Sequence, residues 1–289
     1  MFEMEQISRS GSSLALLDNY SLEMTAKDVA SLELANALIP VGTSISVTFL
    51  PGELVDSRVA AAAAAQNAGF RPVPHISARR LGSEADLGDY LARLQAEAGV
   101  DSVFIVAGDP PQPMGPFEDT LSVIRTGLLA RHGIKRVGVA GHPEGHPEIG
   151  EAQLWQAMKA KLALLADLGH EAEITTQFSF DADPVLAWLS RLRAEGITAP
   201  VKIGVAGPAS VKTLLRFAAR CGVGATGKVM AKYGISITKL LNTAGPDRLI
   251  QIFADRLDPD LHGQVVLHFY PFGGLHKTAE WVRDYRESR

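Results

Sequence analysis

Short β-prone runs alternate with longer helix-like segments along almost the whole chain of 289 residues, and this alternation constrains the fold more than any other feature. The longer segments carry apolar residues three and four positions apart, as a helix with one buried face does. A helix is the usual connection between parallel strands, so the pattern favours a parallel sheet. The predicted strands are 20–25, 44–49, 71–77, 101–108, 136–141, 173–180, 201–207 and 265–270, and the clearest helices are 57–68, 84–98, 154–168, 184–195 and 210–221.

Eight such strands predict an α/β fold in which the sheet closes into a (β/α)8 barrel, the TIM barrel. A barrel of this kind takes about 250 residues, which the chain provides. The alternative is an open doubly wound sheet, which usually has a glycine-rich turn after its first strand. This chain has Ala26, Lys27 and Asp28 there, and no Pro-, Ser- or Gly-rich linker divides it. We expect one barrel domain over residues 1–289, with residues 1–18 as an N-terminal extension.

Composition and charge exclude several classes of partner. The formal net charge is −4, which leaves no basic footprint for nucleic acid or an anionic membrane. No run reaches the roughly 18 apolar residues of a membrane span, and the first residues lack the layout of a signal peptide. Cys221 is the single cysteine, which excludes a disulfide framework. We expect a cytoplasmic protein with no nucleic-acid or membrane partner, and the pattern indicates no particular oligomeric state.

Polar side chains stand at the ends of six consecutive predicted strands. In a (β/α)8 barrel, the loops that follow the strands build the active site. We therefore expect the catalytic groups at this mouth of the barrel. The polar groups are Glu23, Thr48, His75, Asp109, the run GHPEGHPE at 141–148, Gln177 and Asp181.

Each of these residues also has an ordinary structural interpretation. Glu23 is either a general acid in an apolar pocket or a solvated residue at a strand edge. Asp109 could cap the turn before two prolines, and His75 could be a hydrogen-bonded core histidine. Gln177 offers a donor and an acceptor for the edge of a heterocycle, although a glutamine on a strand is usually a surface residue.

A glycine-rich motif at 222–227, GVGATG, fits the dinucleotide pattern GxGxxG only in its letters. A helix-like segment precedes it instead of a strand, and Val229 follows Lys228 where a P-loop needs Ser or Thr. We expect Gly222 to end a helix.

A metal site is the alternative interpretation of the polar strand ends. His142 and His146 are four residues apart, but Pro143, Gly145 and Pro147 prevent a regular helix there. At the barrel mouth, a ligand set could still come from Glu23, His75, Asp109 and His142. The alternative function is therefore a metal-dependent lyase or hydrolase.

Seven stretches, taken in order, resemble motifs of the methylenetetrahydrofolate reductase family. The pair HPExHPE and TQFxFD is specific, while the shorter motifs gain weight from their order. The family fold is a (β/α)8 barrel, in agreement with the strand pattern. The stretches are SLEM with Ser21 and Glu23, SVTF (46–49), PHIS (74–77), AGDPP (107–111), HPEGHPE (142–148), TQFSFD (176–181) and HFY (268–270).

This resemblance implies an enzyme of one-carbon metabolism that reduces methylenetetrahydrofolate to methyltetrahydrofolate, the methyl donor of methionine biosynthesis. Glu23 would be the general acid that opens the five-membered ring to an iminium cation. Asp109 would contact the folate and favour that cation, and Gln177 would bond the pterin and position Glu23. The hydride would come from reduced FAD, which NADH or NADPH reduces.

The resemblance also implies a flavin site and no metal. The residues that fall where the family lines the flavin are Thr48, His75, Ala107, Gly108, Asp109, His142 and His146.

Several departures from the family pattern concern the flavin side. Met24, Thr25 and Ala26 replace an aromatic and proline sequence, and His142 replaces a tyrosine. Ala107 stands where the family has an arginine. Leu165 stands where it has a lysine, the nearest lysine being Lys161.

Two cationic groups suited to a pyrophosphate are thus missing from their expected positions. The departures suggest weak FAD binding, or direct hydride transfer from NAD(P)H to the folate. A non-catalytic folate-binding protein is a further alternative, although binding alone does not require Glu23.

Overall fold

The computed structural model describes residues 15–223 and 243–288, and within them eight parallel strands close into a barrel. Every neighbouring pair of barrel strands is parallel. The predicted (β/α)8 barrel is confirmed. The strands are β1 Ser21–Met24, β2 Ser44–Val47, β3 Arg71–Ser77, β4 Ser102–Val106, β5 Arg136–Gly141, β6 Glu171–Thr176, β7 Val201–Ala206 and β8 Val265–Tyr270.

Helices surround the barrel and connect its strands. Ser83 caps the start of the predicted helix 84–98, and Gly99 ends it with a φ of +56°. The described helices are α1 Val29–Ala35, α2 Val55–Asn67, α3 Glu84–Ala98, α4 Thr120–Arg125, α5 Leu128–Arg131, α6 Glu151–Asp167, α7 Ala182–Ala194, α8 Val211–Cys221, α9 Asp247–Arg256, α10 Pro259–His262 and α11 Leu275–Glu287. Short 3-10 turns lie at Ala26–Asp28, Asn36–Leu38 and Ala78–Arg80.

The sixth strand differs most from its prediction of 173–180. β6 ends at Thr176, and Ser179 makes a single bridge to Val205. Asp181 then caps α7 through the backbone N–H of Asp183. The apolar residues between Thr176 and Asp181 have the sequence pattern of a strand, but they form the loop that leads into α7.

Side chains alternate between the helical layer and the barrel interior, as strand geometry requires. On β1, Leu22 and Met24 belong to the main hydrophobic core, whereas Ser21 and Glu23 contact His268 on β8. The interior holds several polar side chains, whereas barrel interiors are mostly filled by branched apolar residues. Lys202 and Glu173, for example, form an ion pair of 2.6 Å between β7 and β6. This polar interior leads to the mouth.

Gly222 ends α8 with a φ of +65°, as predicted for a helix cap. The rest of the GVGATG motif beyond Val223, with Lys228 and Val229, lies outside the described residues. The same holds for residues 1–14 of the predicted N-terminal extension. A two-residue antiparallel ladder, Ala209–Ser210 with Thr243–Ala244, lies outside the barrel. Among the described helices, none has the length and hydropathy needed to cross a membrane.

Candidate active site

β1 and β8 bring a glutamate, a histidine and a serine together inside the barrel. Glu23 Oε2 lies 3.6 Å from His268 Nε2. The other ring nitrogen, His268 Nδ1, lies 2.8 Å from Ser21 Oγ, and the tautomer decides which atom donates. Ser21 is paired with His268 across the two strands, so the closure of the barrel creates this cluster.

His268 is missing from the site residues predicted above, although it belongs to the HFY motif. It is buried, with 1% of its surface exposed. A buried histidine on a strand is usually hydrogen-bonded in the core, and its sequence does not reveal which neighbours it has. One feature of the sequence could have indicated His268: it lies in the last strand, and a closed barrel places the last strand beside the first strand.

The charge of Glu23 acts on two further side chains at the mouth. Its own side chain is 19% exposed. Burial raises the pKa of Tyr270 well above its usual value, and the Glu23 carboxylate raises it further. The same carboxylate acts on His75. The structure therefore groups Glu23 with His75, His268 and Tyr270.

His75 near the end of β3 is a neutral imidazole at physiological pH. Burial lowers its pKa to about 4; the Glu23 charge opposes this shift, while the charges of His268 and Arg58 add to it. Its ring centre lies 4.7 Å from that of Phe104. A neutral imidazole offers both a donor and an acceptor to a ligand without adding charge.

An aromatic wall, made of Phe178, Phe217, Tyr270 and Phe272, flanks this group. The Tyr270 ring centre lies 5.7 Å from Phe178 and 5.9 Å from Phe272. Phe217 and Phe272 are stacked with centres 4.0 Å apart. The Tyr270 hydroxyl donates to the carbonyl of Thr176 at 3.0 Å, which ties the wall to the end of β6. The wall was not predicted from the sequence.

Gln177 directly follows β6 and is half-buried. Its Oε1 accepts a hydrogen bond from the backbone N–H of Phe178 at 3.1 Å, and the backbone N–H of Gln177 donates to the Gly141 carbonyl at 2.9 Å. With Oε1 engaged in this way, the amide NH2 is the group that this side chain can present to a ligand.

Asp109 lies at the rim of the mouth. Its side chain is 76% exposed and lies 3.7 Å from Arg80, its ion-pair partner. Gly108 has a φ of +96°, and a Cβ at this position would collide with the Ser77 hydroxyl. The carbonyl of Ala107 accepts from Arg79 N–H at 2.8 Å. The backbone is therefore held close to β3.

His142 and His146 face each other after β5, with ring centres 5.5 Å apart. Burial, together with the charges of His146 and Lys161, lowers the pKa of His142 to about 4. Glu148 N–H donates to His146 Nδ1 at 3.2 Å. The structure brings this pair together, as the spacing of the motif implies, but without helical geometry.

Lys161 on α6 is the lysine nearest to position 165, where the family resemblance expects one. Leu165 is fully buried in the main core, whereas Lys161 acts electrostatically on His142. The two positions are four residues apart, so they share one face of the helix, and Lys161 is about 6 Å nearer the mouth. Burial lowers the pKa of Lys161.

Thr48 and Phe49 extend the site beyond β2. The Thr48 N–H donates to the Met24 carbonyl at 2.8 Å, which holds the residue beside the end of β1.

The described residues contain no group of three or more His, Cys, Asp or Glu side chains arranged to hold a metal ion. Asp109 pairs with Arg80 and His142 packs on His146, so the quartet with Glu23 and His75 is not a ligand set.

The half of the mouth formed by β2 to β5 fits a dinucleotide. It offers the neutral imidazoles of His75 and His142, the close backbone at Gly108 and the ammonium group of Lys161. A guanidinium nearby, that of Arg58, has its buried Nε without a hydrogen-bond partner among the described residues. Cationic and neutral donors of this kind suit phosphates and a planar ring.

Comparison with known proteins gives consistent results. The methylenetetrahydrofolate reductase family model matches residues 23–270. Methylenetetrahydrofolate reductase (NADH) 1 of Arabidopsis thaliana is 30% identical over 136 residues, covering 43% of this chain and 23% of that protein. Methylenetetrahydrofolate reductase 2 of Saccharomyces cerevisiae is 28% identical over 119 residues, covering 37% of this chain and 19% of that protein. The aligned region thus spans less than a quarter of either relative.

Among solved structures, an uncharacterised protein from Clostridium thermocellum that binds two copies of 5-methyl-5,6,7,8-tetrahydrofolic acid has a similar fold. The TM-score is 0.56 at 10% identity, covering 94% of this chain and 97% of that one. This likeness supports the barrel fold. The family model extends over most of the chain, and the chain therefore belongs to the methylenetetrahydrofolate reductase family.

Proposed function

We propose that this protein reduces methylenetetrahydrofolate to methyltetrahydrofolate by hydride transfer from NADH or NADPH, with Glu23 as the general acid. The observation that carries the proposal is the placement of Glu23 inside the mouth, 3.6 Å from His268 and within electrostatic reach of His75 and Tyr270. Family membership supplies the substrate class.

Ring opening of the substrate requires a proton on the leaving ring nitrogen. In the proposed mechanism, protonated Glu23 donates this proton and becomes a carboxylate. The negative charge of this carboxylate then stabilises the developing iminium cation. His268 holds the Glu23 carboxyl on one side, and Ser21 orients the imidazole from its other nitrogen. The imidazole is thereby kept in one orientation beside the Glu23 carboxyl.

Gln177 and Asp109 have distinct proposed roles. The Gln177 amide NH2 donates to the pterin edge, because its Oε1 already accepts from Phe178 N–H. Asp109 at the rim adds negative charge on the side from which the folate enters. The aromatic wall gives the substrate's rings a surface on which to stack.

We propose that FAD, when bound and reduced by NADH or NADPH, would supply the hydride that reaches the methylene carbon. The residues that would hold it are Thr48, His75, Ala107, Gly108, Asp109, His142 and His146, together with Lys161. In that arrangement His75 and His142 donate or accept hydrogen bonds as neutral rings, since both have lowered pKa values of about 4.

The test is oxidation of NADH and of NADPH by flavin-stripped protein given methylenetetrahydrofolate, before and after FAD is added. Folate-dependent oxidation that appears only with FAD supports the flavoenzyme. Equal oxidation without FAD supports direct hydride transfer by the same fold. Binding of methyltetrahydrofolate with no oxidation under any condition would contradict the proposal and favour a folate-binding protein.

A further inference from the structure

Two arginines lie against the ring of Phe49 at the mouth. The guanidinium carbon of Arg58, on α2, is 4.6 Å from the Phe49 ring centre and also 4.6 Å from that of Tyr90. The guanidinium carbon of Arg80, at the end of the turn after β3, is 5.0 Å from the Phe49 ring centre. We call these four residues, Arg58, Arg80, Phe49 and Tyr90, the arginine cluster.

The cluster carries positive charge with little compensation. Arg58 is 7% exposed, and its buried Nε has no hydrogen-bond partner among the described residues. In the carboxylate of Glu53, Oε2 accepts from the backbone N–H of Leu50, while the buried Oε1 has no hydrogen-bond partner among the described residues. Cation–π contacts offset only part of the cost of burying a charge.

Arg80 has only a loose carboxylate partner. Asp109 is 3.7 Å away and 76% exposed. Exposed ion pairs of this kind contribute little free energy. A second anion can therefore approach the Arg80 guanidinium without first breaking a strong interaction.

The cluster borders the residues predicted to hold the cofactor. Phe49 follows Thr48, and the Arg58 charge acts on His75. Arg79 N–H donates to the carbonyl of Ala107, so the turn that carries Arg80 lies directly against position 107. That is the position where the family resemblance expects an arginine.

We propose that Arg58 and Arg80 form a phosphate-binding subsite for the dinucleotide, and that Arg80 replaces the cation missing at Ala107. The proposal rests on the proposed function, since it concerns the cofactor of that reaction. A guanidinium is planar and can bond two phosphate oxygens at once, and stacking on Phe49 restricts its orientation. The shared ligand chemistry is the pyrophosphate, which FAD and NAD(P)H both carry.

The experiment measures binding, not turnover. Equilibrium dialysis of FAD, NADH and NADPH is performed on the full chain and on Arg80→Gln, with inorganic pyrophosphate as competitor. We expect Arg80→Gln to weaken binding of one of these dinucleotides at least tenfold, which is about 1.4 kcal/mol. The dinucleotide that responds identifies the source of the phosphate.

Arg136→Gln is the matched control. It removes one charge at the opposite end of the barrel, where Arg136 pairs with Glu171 at 2.9 Å. We expect its dissociation constants to equal those of the unmodified protein. Equal dissociation constants for Arg80→Gln and the unmodified protein, or no dinucleotide binding by the unmodified protein, would overturn the proposal.

A rescue variant separates charge recognition from structure. In the Arg80→Gln background, Ala107→Arg returns a guanidinium to the position where the family has one, and we expect it to recover most of the lost affinity. Arg58→Lys keeps the charge but loses the planar contact with Phe49, so we expect intermediate affinity. If Ala107→Arg recovers nothing, Arg80 acts only structurally and the proposal is wrong.

Methyltetrahydrofolate binding, measured on the same proteins, distinguishes the two proposals. Arginine-dependent dinucleotide binding without any folate binding or oxidation would leave the phosphate subsite standing and reject the proposed function. Folate-dependent oxidation with unchanged dinucleotide affinity in Arg80→Gln would do the reverse.

Discussion

Glu23 has a polar neighbour but no short ion pair. The distance of 3.6 Å between its Oε2 and His268 Nε2 is longer than that of a charge-assisted hydrogen bond. Ser21, on the other ring nitrogen, orients the histidine. A carboxyl held this loosely keeps its capacity to exchange a proton with a bound substrate.

At the same scale, we expect Glu23→Gln to fold normally and to lose folate-dependent NAD(P)H oxidation by about 10²–10⁴-fold, since an amide cannot donate the catalytic proton. The measurement is the steady-state rate with methylenetetrahydrofolate, with thermal unfolding as the folding control. A rate within a few-fold of the unmodified protein would remove Glu23 from the mechanism.

Among single residues, those at strand ends could be predicted and their partners could not. Glu23, Thr48, His75 and Gln177 follow from strand polarity, because the ends of parallel strands share one edge. The roles of His268 and Arg58 depend on which residues from distant parts of the chain face each other. The local sequence pattern does not indicate these long-range contacts.

At the scale of elements, α6 carries its lysine one turn nearer the mouth than the family resemblance expects. Leu165 occupies the position expected for a lysine but packs in the core. One turn earlier, Lys161 acts on His142. The two positions lie on one face of the helix, four residues apart.

We expect Lys161→Met to weaken dinucleotide binding by about tenfold or more, because it removes a half-buried cation while keeping the length of the side chain. Lys159→Met is the control, since Lys159 lies on the same helix and pairs with Glu195 at the surface. Dialysis with FAD and NADH measures both. Equal affinities for the two variants would show that Lys161 contributes nothing to the cofactor site.

The bounds of a helix could be predicted from the sequence where capping residues mark its two ends. The helix at 84–98 has the predicted bounds, with Ser83 and Gly99 at its ends. The strand predicted at 173–180 is shorter, because Asp181 begins the next helix and Gln177 to Phe180 form the loop. Apolar loop residues that pack on the barrel cannot be told from strand residues by pattern alone.

At the scale of the whole molecule, the polar barrel interior makes stability depend on pH. Burial lowers the pKa values of His75 and His142 to about 4, compared with about 6.5 in an unfolded chain. Between these values the unfolded state binds more protons than the folded state. The free energy of unfolding therefore falls as the pH drops from about 6.5 towards 4.

We expect the urea midpoint to be lower at pH 5 than at pH 7, and His142→Tyr to reduce this difference because it removes one of the two buried imidazoles. The measurement is urea unfolding of both proteins at the two pH values. The same pH difference in His142→Tyr and the unmodified protein would show that His142 does not contribute to acid sensitivity.

The sequence by itself determined the barrel, and its polar strand ends predict the rim at which the candidate site lies. Both follow from local information, the alternation of periods along the chain and the polar residues where strands end. Only the tertiary structure decided that His268 joins Glu23, that Lys161 reaches His142, and that Arg58 and Arg80 meet at Phe49. These contacts join residues on different elements, and their geometry exists only once the sheet has closed and the helices have packed around it.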